Sequence, residues 1–214
     1  MKQNSVKRMV TLAMLTAMAY ALVCLIRIPV VVEFLQYEPK DVIITIGGLL
    51  YGPMAALIIS AVTALLEMIS VSETGFIGAV MNLLSSASFA CTAALVYKKH
   101  RTLLGAVIGL VAGSVLMVVA MLLWNWLVTP LYMGVSREVV TTMLLPTFLP
   151  FNLLKAGLNS ALVLCVYKPL VGALRQADLI GQGQSGKSKI GVYIFAAALL
   201  ITCILFLLVL RGII

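Results

Sequence analysis

The chain has 214 residues, of which 63% are hydrophobic and only 10% are charged, with a formal net charge of +8. Soluble domains average roughly 45 to 50% apolar and about 25% charged residues, so this composition excludes an ordinary water-soluble fold. The unit to look for is the apolar span of about 20 residues that crosses a bilayer, and the sequence holds six or seven of them.

The positive charges fall into three clusters along the chain. They are Lys2, Lys7 and Arg8; Lys98, Lys99 and Arg101; and Lys168, Arg175, Lys187 and Lys189. Because Lys and Arg concentrate in cytoplasmic loops, we place all three clusters in the cytoplasm and predict a multi-pass protein of the cell membrane with a cytoplasmic N-terminus. The basic excess then reflects topology, so we expect the lipid bilayer as a partner and no nucleic acid.

The first half of the chain predicts four helices. The first runs from about residue 9 to residue 27 and leads outward into a polar loop that carries Phe34, Tyr37, Glu38, Lys40 and Asp41. The next apolar stretch, 42–69, contains the turn signal Tyr51-Gly52-Pro53 and must bring the chain back to the same face of the membrane. We therefore predict two short helices joined at Gly52 and Pro53. A fourth helix is predicted over 75–97.

The second half predicts a fifth helix over 103–126, a long outer connection and a sixth helix over 150–174. Residues 176–189 are rich in Gly, Gln and Ser and predict a flexible cytoplasmic linker. We therefore expect an all-α, polytopic membrane protein in three parts. These are a six-helix core over 1–175, the linker over 176–189, and an additional seventh transmembrane helix within 190–214.

The predicted sixth helix carries the most informative polar residues. Asn152, Lys155 and Asn159 are spaced i, i+3 and i+7, which places them on one face of a helix. Polar groups within membrane spans are costly and often mark functional sites. The alternatives are that Lys155 extends outward to the interface and that Asn159 only bonds a neighbouring helix.

The predicted fifth helix ends in Trp124-Asn125-Trp126. An Asn flanked by two rings suits a flat heteroaromatic ligand that stacks on one surface and is hydrogen-bonded at its edge. The alternative is an aromatic belt at the membrane interface, which Trp126 and Tyr132 would also fit. Glu67 and Asn82 are further polar residues within spans, and for each of them we favour a structural role in pairing with another buried group.

In the first predicted helix, Ala13, Ala17 and Ala21 recur at a spacing of four. Small residues at this spacing let another helix approach closely, either within the chain or in a separate membrane subunit. The catalytic motifs HExxH and GxSxG are missing from the sequence. We therefore expect no enzyme activity and no metal site, and we expect any ATP to be bound by another chain.

Taken in order, several segments resemble the substrate-binding S components of energy-coupling factor (ECF) vitamin transporters, and within them the riboflavin-specific branch. The resemblance covers residues 5–175. The segments are Phe34-Leu35-Gln36-Tyr37 with Asp41, Tyr51-Gly52-Pro53, Ser72-Glu73-Thr74-Gly75, residues 125–132, and Leu149-Pro150-Phe151-Asn152-Leu153-Leu154-Lys155. Two departures are the lack of a proline directly after Asp41 and the seventh helix, which lies outside the family core.

The resemblance implies a six-helix core with an outward-facing pocket, capped by the first loop, that binds riboflavin as the transported ligand and uses no cofactor. It implies coupling to a transmembrane T component and two cytoplasmic ATPase subunits, with Ala13, Ala17 and Ala21 as the docking surface. It further implies that Asn125, Asn152 and Lys155 contact the flavin or its ribityl hydroxyls.

We add Phe34, Tyr37, Trp124 and Asn159 as candidate binding residues. Riboflavin is a flat three-ring body with an uncharged polyol chain, which requires apolar walls and a few hydrogen-bonding groups. Two alternatives stay open. The first is an S component for another vitamin or small heterocycle, and the second is a stand-alone secondary transporter.

Overall fold

A computed structural model describes residues 2–30, 35–71, 74–179 and 190–211. In chain order the helices are α1 (Lys2–Leu25), α2 (Lys40–Tyr51), α3 (Pro53–Ser70), α4 (Gly75–Lys99), α5 (Leu103–Met133), α6 (Arg137–Met143), α7 (Leu149–Gln176) and α8 (Ile190–Leu210). Two short strands, β1 (Ile28–Pro29) and β2 (Gln36–Tyr37), pair antiparallel between α1 and α2. A π-helical turn, Leu144–Phe148, joins α6 to α7.

Within the described residues, six helical segments are long and apolar enough to cross a membrane. They lie in α1, α3, α4, α5, the stretch from α6 through α7, and α8. With 12 residues, α2 is the short member of the bundle. Its length of about 18 Å falls below the roughly 30 Å of a hydrocarbon core. The prediction of an all-α, polytopic membrane protein with an added C-terminal helix is confirmed.

The predicted break between the second and third helices is confirmed at Gly52. Its φ of 93° lies in the left-handed region that favours glycine. Pro53 then begins α3, where its missing N–H costs no helical hydrogen bond. The start of α2 was predicted too late, because Lys40 and Asp41 form its first turn and are each only 1% exposed. These two charges therefore lie inside the bundle and not in an outer loop.

The fifth helix is longer than predicted, because α5 continues past Pro130 to Met133. Proline removes the hydrogen bond to the carbonyl of Trp126, but membrane helices tolerate such a loss where neighbouring groups satisfy the backbone. The helix ends instead at Gly134, whose φ is 65°. The predicted outer connection over 128–145 was therefore wrong, since most of it is helical.

The helix α4 packs against α2, α3 and α5. Its contact with α5 is close because α5 presents glycines to the α4 backbone. A Cβ at Gly109 would lie 2.7 Å from the carbonyl oxygen of Ala93, and one at Gly113 would overlap the carbonyl oxygen of Phe89. Small residues of this kind allow membrane helices to approach closely. The largest apolar cluster lies between α2, α4, α5 and α7.

The last helix, α8, packs against α7. The two helices approach closely at Gly157, where an added Cβ would lie 2.7 Å from the sulfur of Cys203. Most of the remaining side chains of α8 are exposed, which suits a helix surrounded by lipid. Residues 180–189 of the predicted linker lie outside the described part of the chain.

Candidate solute-binding site

A cavity of about 140 Å³ lies near the end of α1, the start of α4 and the start of α7. Its apolar wall is formed by Leu35, Val71, Met81, Met121 and Phe151. Its polar wall is formed by Arg27, Gln36, Glu38, Glu67, Thr74, Asn82, Ser85, Asn125, Asn152 and Lys155. An apolar surface thus meets a polar one inside the helix bundle, as is usual in small-molecule sites.

Three of the predicted site residues meet on this wall. Asn152 and Lys155 project from one face of α7, as their spacing predicted, and Asn125 reaches the cavity from α5. All three are buried, with exposed fractions of 1%, 6% and 3% respectively. The periodicity therefore located a real cluster, while its role in ligand contact stays a prediction.

Two hydrogen-bonding atoms on the wall have no partner in the described structure. The amide nitrogen of Asn152 donates to the carbonyl oxygen of Phe148 at 2.8 Å, but its Oδ1 is buried and unpaired. The hydroxyl of Ser85 is also buried and unpaired. Leaving such a group unsatisfied costs about 1 to 3 kcal/mol. These atoms are therefore free to bond a solute with hydroxyl or N–H groups.

Asn125 differs from Asn152 because its own helix satisfies its side chain. Its Nδ2 donates to the carbonyl oxygen of Met121 at 2.7 Å. Its Oδ1 accepts from the hydroxyl of Thr129 at 3.0 Å. A carbonyl or hydroxyl oxygen accepts more than one hydrogen bond, so Asn125 keeps acceptor capacity toward the cavity.

A buried ion-pair network forms one side of the cavity. The ammonium of Lys40 lies 2.6 Å from a carboxylate oxygen of Glu67 and 2.7 Å from one of Glu38. Asn82 donates to Glu67 at 2.6 Å, and Arg27 lies 3.3 Å from Glu38. Glu67 and Asn82 are thus bonded to each other, and both also line the cavity.

A second part of the network is centred on Asp41. Its Oδ2 lies 3.5 Å from the ammonium of Lys155 and accepts from Asn159 at 3.2 Å, while its Oδ1 accepts from Ser86. Tyr37 donates to Oδ1 of Asn159 at 3.0 Å. Burial, and then the Asp41 carboxylate, raise the pKa of Tyr37, so the phenol stays protonated and donates.

The network balances its own charges. The cations Arg27, Lys40 and Lys155 are matched by the carboxylates Glu38, Glu67 and Asp41. An unpaired buried charge would cost several kcal/mol, so the pairing is what allows five of these groups to be buried together, with Arg27 partly exposed at the edge of the network. The cavity therefore offers hydrogen bonds with little net charge.

Three of the predicted residues, Tyr37, Trp124 and Asn159, are not among the described residues that line the cavity. Tyr37 and Asn159 are hydrogen-bonded to each other. Trp124 packs against the apolar cluster of the bundle. Adjacent residues on a helix point in different directions, so Trp124 and Asn125 lie on different faces of α5. Contact of Trp124 with a ligand stays a prediction. Phe34 lies outside the described residues.

The alanines of α1 face outward. Ala13, Ala17 and Ala21 are all exposed, whereas Ala19 on another face is fully buried. Packing within the described chain therefore does not explain their spacing. Docking of a partner stays a prediction for this surface.

The sequence analysis missed Lys40 and Ser85. Lys40 follows Pro39 next to two acidic residues, a pattern typical of an exposed loop. Only the burial of Glu67 signalled that a cation was needed nearby. Ser85 carried no signal, because Ser is common in membrane helices and often bonds its own backbone.

A bundle of membrane helices that encloses a buried polar cavity defines a solute-binding membrane protein. Comparison with known families makes this specific, because residues 7–167 match the model of the substrate-specific component of ECF transporters. The chain therefore belongs to this family, which confirms the resemblance, and the matched segment ends before α8.

Individual relatives agree with the family. The chain is 28% identical over 184 residues to the riboflavin transporter RibU of Staphylococcus aureus, covering 82% of this chain and 95% of that protein. It is 27% identical over 187 residues to the riboflavin transporter FmnP of Bacillus subtilis, covering 81% and 98%. A solved structure of the S component of a bacterial ECF transporter matches with a TM-score of 0.69 and 26% identity, covering 80% of this chain and 99% of that one.

Proposed function

We propose that this chain is the riboflavin-binding S component of an ECF importer, which captures riboflavin outside the cell. The observation that carries the proposal is the pair of unpaired atoms, Asn152 Oδ1 and Ser85 Oγ, in the lining of a cavity to which Lys155 and several apolar side chains also contribute. The two relatives named as riboflavin transporters support the choice of ligand.

The chemistry of the cavity fits riboflavin in two respects. The rings require an apolar surface, which Leu35, Met121 and Phe151 provide, and the polyol and ring edges require donors and acceptors. The balanced charges of the network favour an uncharged ligand over a phosphorylated one, because a phosphate would have no unpaired cation to meet.

Riboflavin requires the lining of the cavity to move. Pockets for ligands of this size measure roughly 300 to 1,000 Å³, against about 140 Å³ here. Leu35 and Gln36, from the loop between α1 and α2, form one side of the cavity. We propose that this loop moves aside to admit riboflavin and then closes over it.

The two alternatives are less well supported. A secondary transporter needs a carboxylate that is free to bind and release the coupling ion. Among the described residues, the buried carboxylates of Glu38, Asp41 and Glu67 are each paired with a cation. An S component for another heterocycle would share the fold, and competition between riboflavin and other vitamins for the purified chain distinguishes it.

The substitution Ser85→Ala tests whether the Ser85 hydroxyl contacts riboflavin, because its expected effects on stability and on binding differ. Because the hydroxyl is unpaired in the described structure, its removal should leave stability unchanged or raise it by about 1 kcal/mol. If riboflavin bonds this hydroxyl, the same change should weaken riboflavin binding about 3- to 10-fold. Thermal unfolding and a riboflavin titration of the purified variant measure the two effects separately.

Thr63→Val is the matched control for this test. The Thr63 hydroxyl is also buried and unpaired, but Thr63 does not line the cavity. The Thr63→Val variant should be as stable as the unaltered chain or slightly more stable, and its affinity for riboflavin should not change. Equal affinity for riboflavin in the Ser85→Ala variant and the unaltered chain would remove Ser85 from the proposed site.

We propose that α1 docks on the T component of the importer, which works with two ATPase subunits. The exposed alanines leave room for a partner helix along this face. We propose that the N-terminus lies in the cytoplasm. The gathering of Arg8, Lys98 and Arg101 at one end of the bundle supports this orientation, because basic residues concentrate on the cytoplasmic side.

The double substitution Ala13→Leu/Ala17→Leu tests the docking surface on α1. The bulky side chains should prevent close helix approach and abolish most riboflavin uptake in cells that express the T component and ATPases, while riboflavin binding by the purified chain stays unchanged. Ala197→Leu, at an exposed alanine of α8, is the control and should leave both measurements unaltered. Normal uptake by the Ala13→Leu/Ala17→Leu variant would reject α1 as the docking surface.

A further inference from the structure

A second cavity, of about 300 Å³, lies at the end of the bundle opposite the solute cavity. The helix α4 reaches both, since Ser85 lines the solute cavity and Tyr97 lines the second one. At 1.5 Å per residue these two positions are about 18 Å apart along the helix axis. The second cavity is therefore a separate feature of the fold, and the proposed binding of riboflavin does not use it.

Three cations reach this cavity from three parts of the chain. Arg8 comes from α1, Lys98 from the last turn of α4, and Arg101 from the loop before α5. The guanidinium carbon of Arg8 lies 5.8 Å from the centre of the Tyr51 ring, a cation–π contact that holds it at the wall. No Asp or Glu is found among the described residues of the lining. Unlike the solute cavity, this one is not electrically balanced.

The helix ends around the cavity do not cancel this charge. The negative end of α2 and the positive end of α3 meet at Gly52 and contribute opposite half charges. The negative end of α4 and the positive end of α5 meet in the same way at residues 100–102 and offset each other. The three side-chain cations therefore leave a net charge of about +3 at the cavity.

The floor of the cavity is formed by small residues. Gly48, Gly52 and Ala94 line it, and a Cβ added at Gly52 would meet nothing within 4 Å. On its rim, Met54 is 61% exposed, and Leu57 and Ile58 continue this exposed apolar face one turn further along α3. A polar pocket thus adjoins an apolar surface that faces the lipid.

We propose that this cavity binds a phosphate group, carried by the headgroup of an anionic phospholipid or by free phosphate. The planar guanidinium groups of Arg8 and Arg101 match phosphate oxygens through paired hydrogen bonds, and Lys98 adds a compact charge. Topology alone requires basic residues at this end of the bundle, but it does not require them to converge on one concave site.

The test compares the purified full-length chain with an Arg8→Gln/Arg101→Gln variant in lipid nanodiscs. Native mass spectrometry measures how much phosphatidylglycerol each retains relative to phosphatidylcholine. One basic residue near an anionic lipid is worth about 1 kcal/mol, or about fivefold in affinity, so the double variant should lose about 25-fold of the preference. In nanodiscs of phosphatidylcholine alone, thermal stabilisation by inorganic phosphate measures binding of the free anion.

Lys99→Gln is the matched control, because Lys99 is exposed, adjoins Lys98 and does not line the cavity. Arg8→Lys/Arg101→Lys keeps the charge and should show an intermediate loss, which separates phosphate recognition from misfolding. If the chain retains phosphatidylglycerol but inorganic phosphate does not stabilise it against heat, the ligand is the lipid. If phosphate stabilises the chain but phosphatidylglycerol is not preferred, the ligand is the free anion. No preference in either arm, or an equal loss in Lys99→Gln, would overturn the proposal.

Discussion

Replacing Lys40 with Met is expected to lower the free energy of unfolding by about 3 to 5 kcal/mol. Lys40 is 1% exposed and holds the carboxylates of Glu38 and Glu67 at 2.7 and 2.6 Å. The substitution leaves these anions without their shared cation, and breaking one side of a buried ion pair costs more than removing both. Chemical unfolding of the purified chain in mixed micelles measures the loss.

The double variant Lys40→Met/Glu67→Met is the control for this prediction. It removes both members of the closest pair and replaces them with apolar side chains, while Glu38 keeps its contact with Arg27. We expect it to recover most of the stability that Lys40→Met loses. A double variant as unstable as the single one would show that the network does not act through this pair.

Replacing Lys155 with Met is expected to weaken riboflavin binding about 10- to 100-fold. Lys155 lines the cavity, and its one ion pair in the described structure is the 3.5 Å contact with Asp41. Its ammonium has three donors, so it can bond a ligand oxygen while it stays paired. Hydrogen bonds to charged groups contribute about 1.5 to 3 kcal/mol. Quenching of flavin fluorescence during titration measures the affinity.

Two further variants identify the cause of such a loss. Lys99→Met removes an exposed cation away from the cavity and should bind riboflavin normally. Lys155→Met/Asp41→Asn removes the cation together with the charge that it balances. If Lys155 contacts riboflavin, the double variant stays weak; recovery of affinity would mean that Lys155 acts only by neutralising Asp41.

Local patterns in the sequence predicted the features that depend on neighbouring residues. Gly52 and Pro53 predicted the turn between α2 and α3, because each has a backbone preference that acts within the turn. The spacing of Asn152 and Lys155 predicted their common face, because helix geometry fixes it. The same reasoning failed at Pro130, where packing in the membrane outweighed the local preference of proline.

Features that depend on distant pairing could not be read from the sequence. Lys40 is buried because Glu67, 27 positions later, shares its hydrogen bonds. Without that partner the segment around Lys40 has the composition of a loop. Trp124 shows the converse case, because it adjoins Asn125 in the sequence although consecutive helical residues point to different faces.

The central claim is that the cavity of this chain binds riboflavin, and a calorimetric titration of the detergent-purified chain with riboflavin tests it most directly. We predict saturable binding of one flavin per chain, weakened by Lys155→Met and unaffected by Lys99→Met. Absence of heat with riboflavin, from protein that unfolds cooperatively and was purified without bound flavin, would contradict the claim.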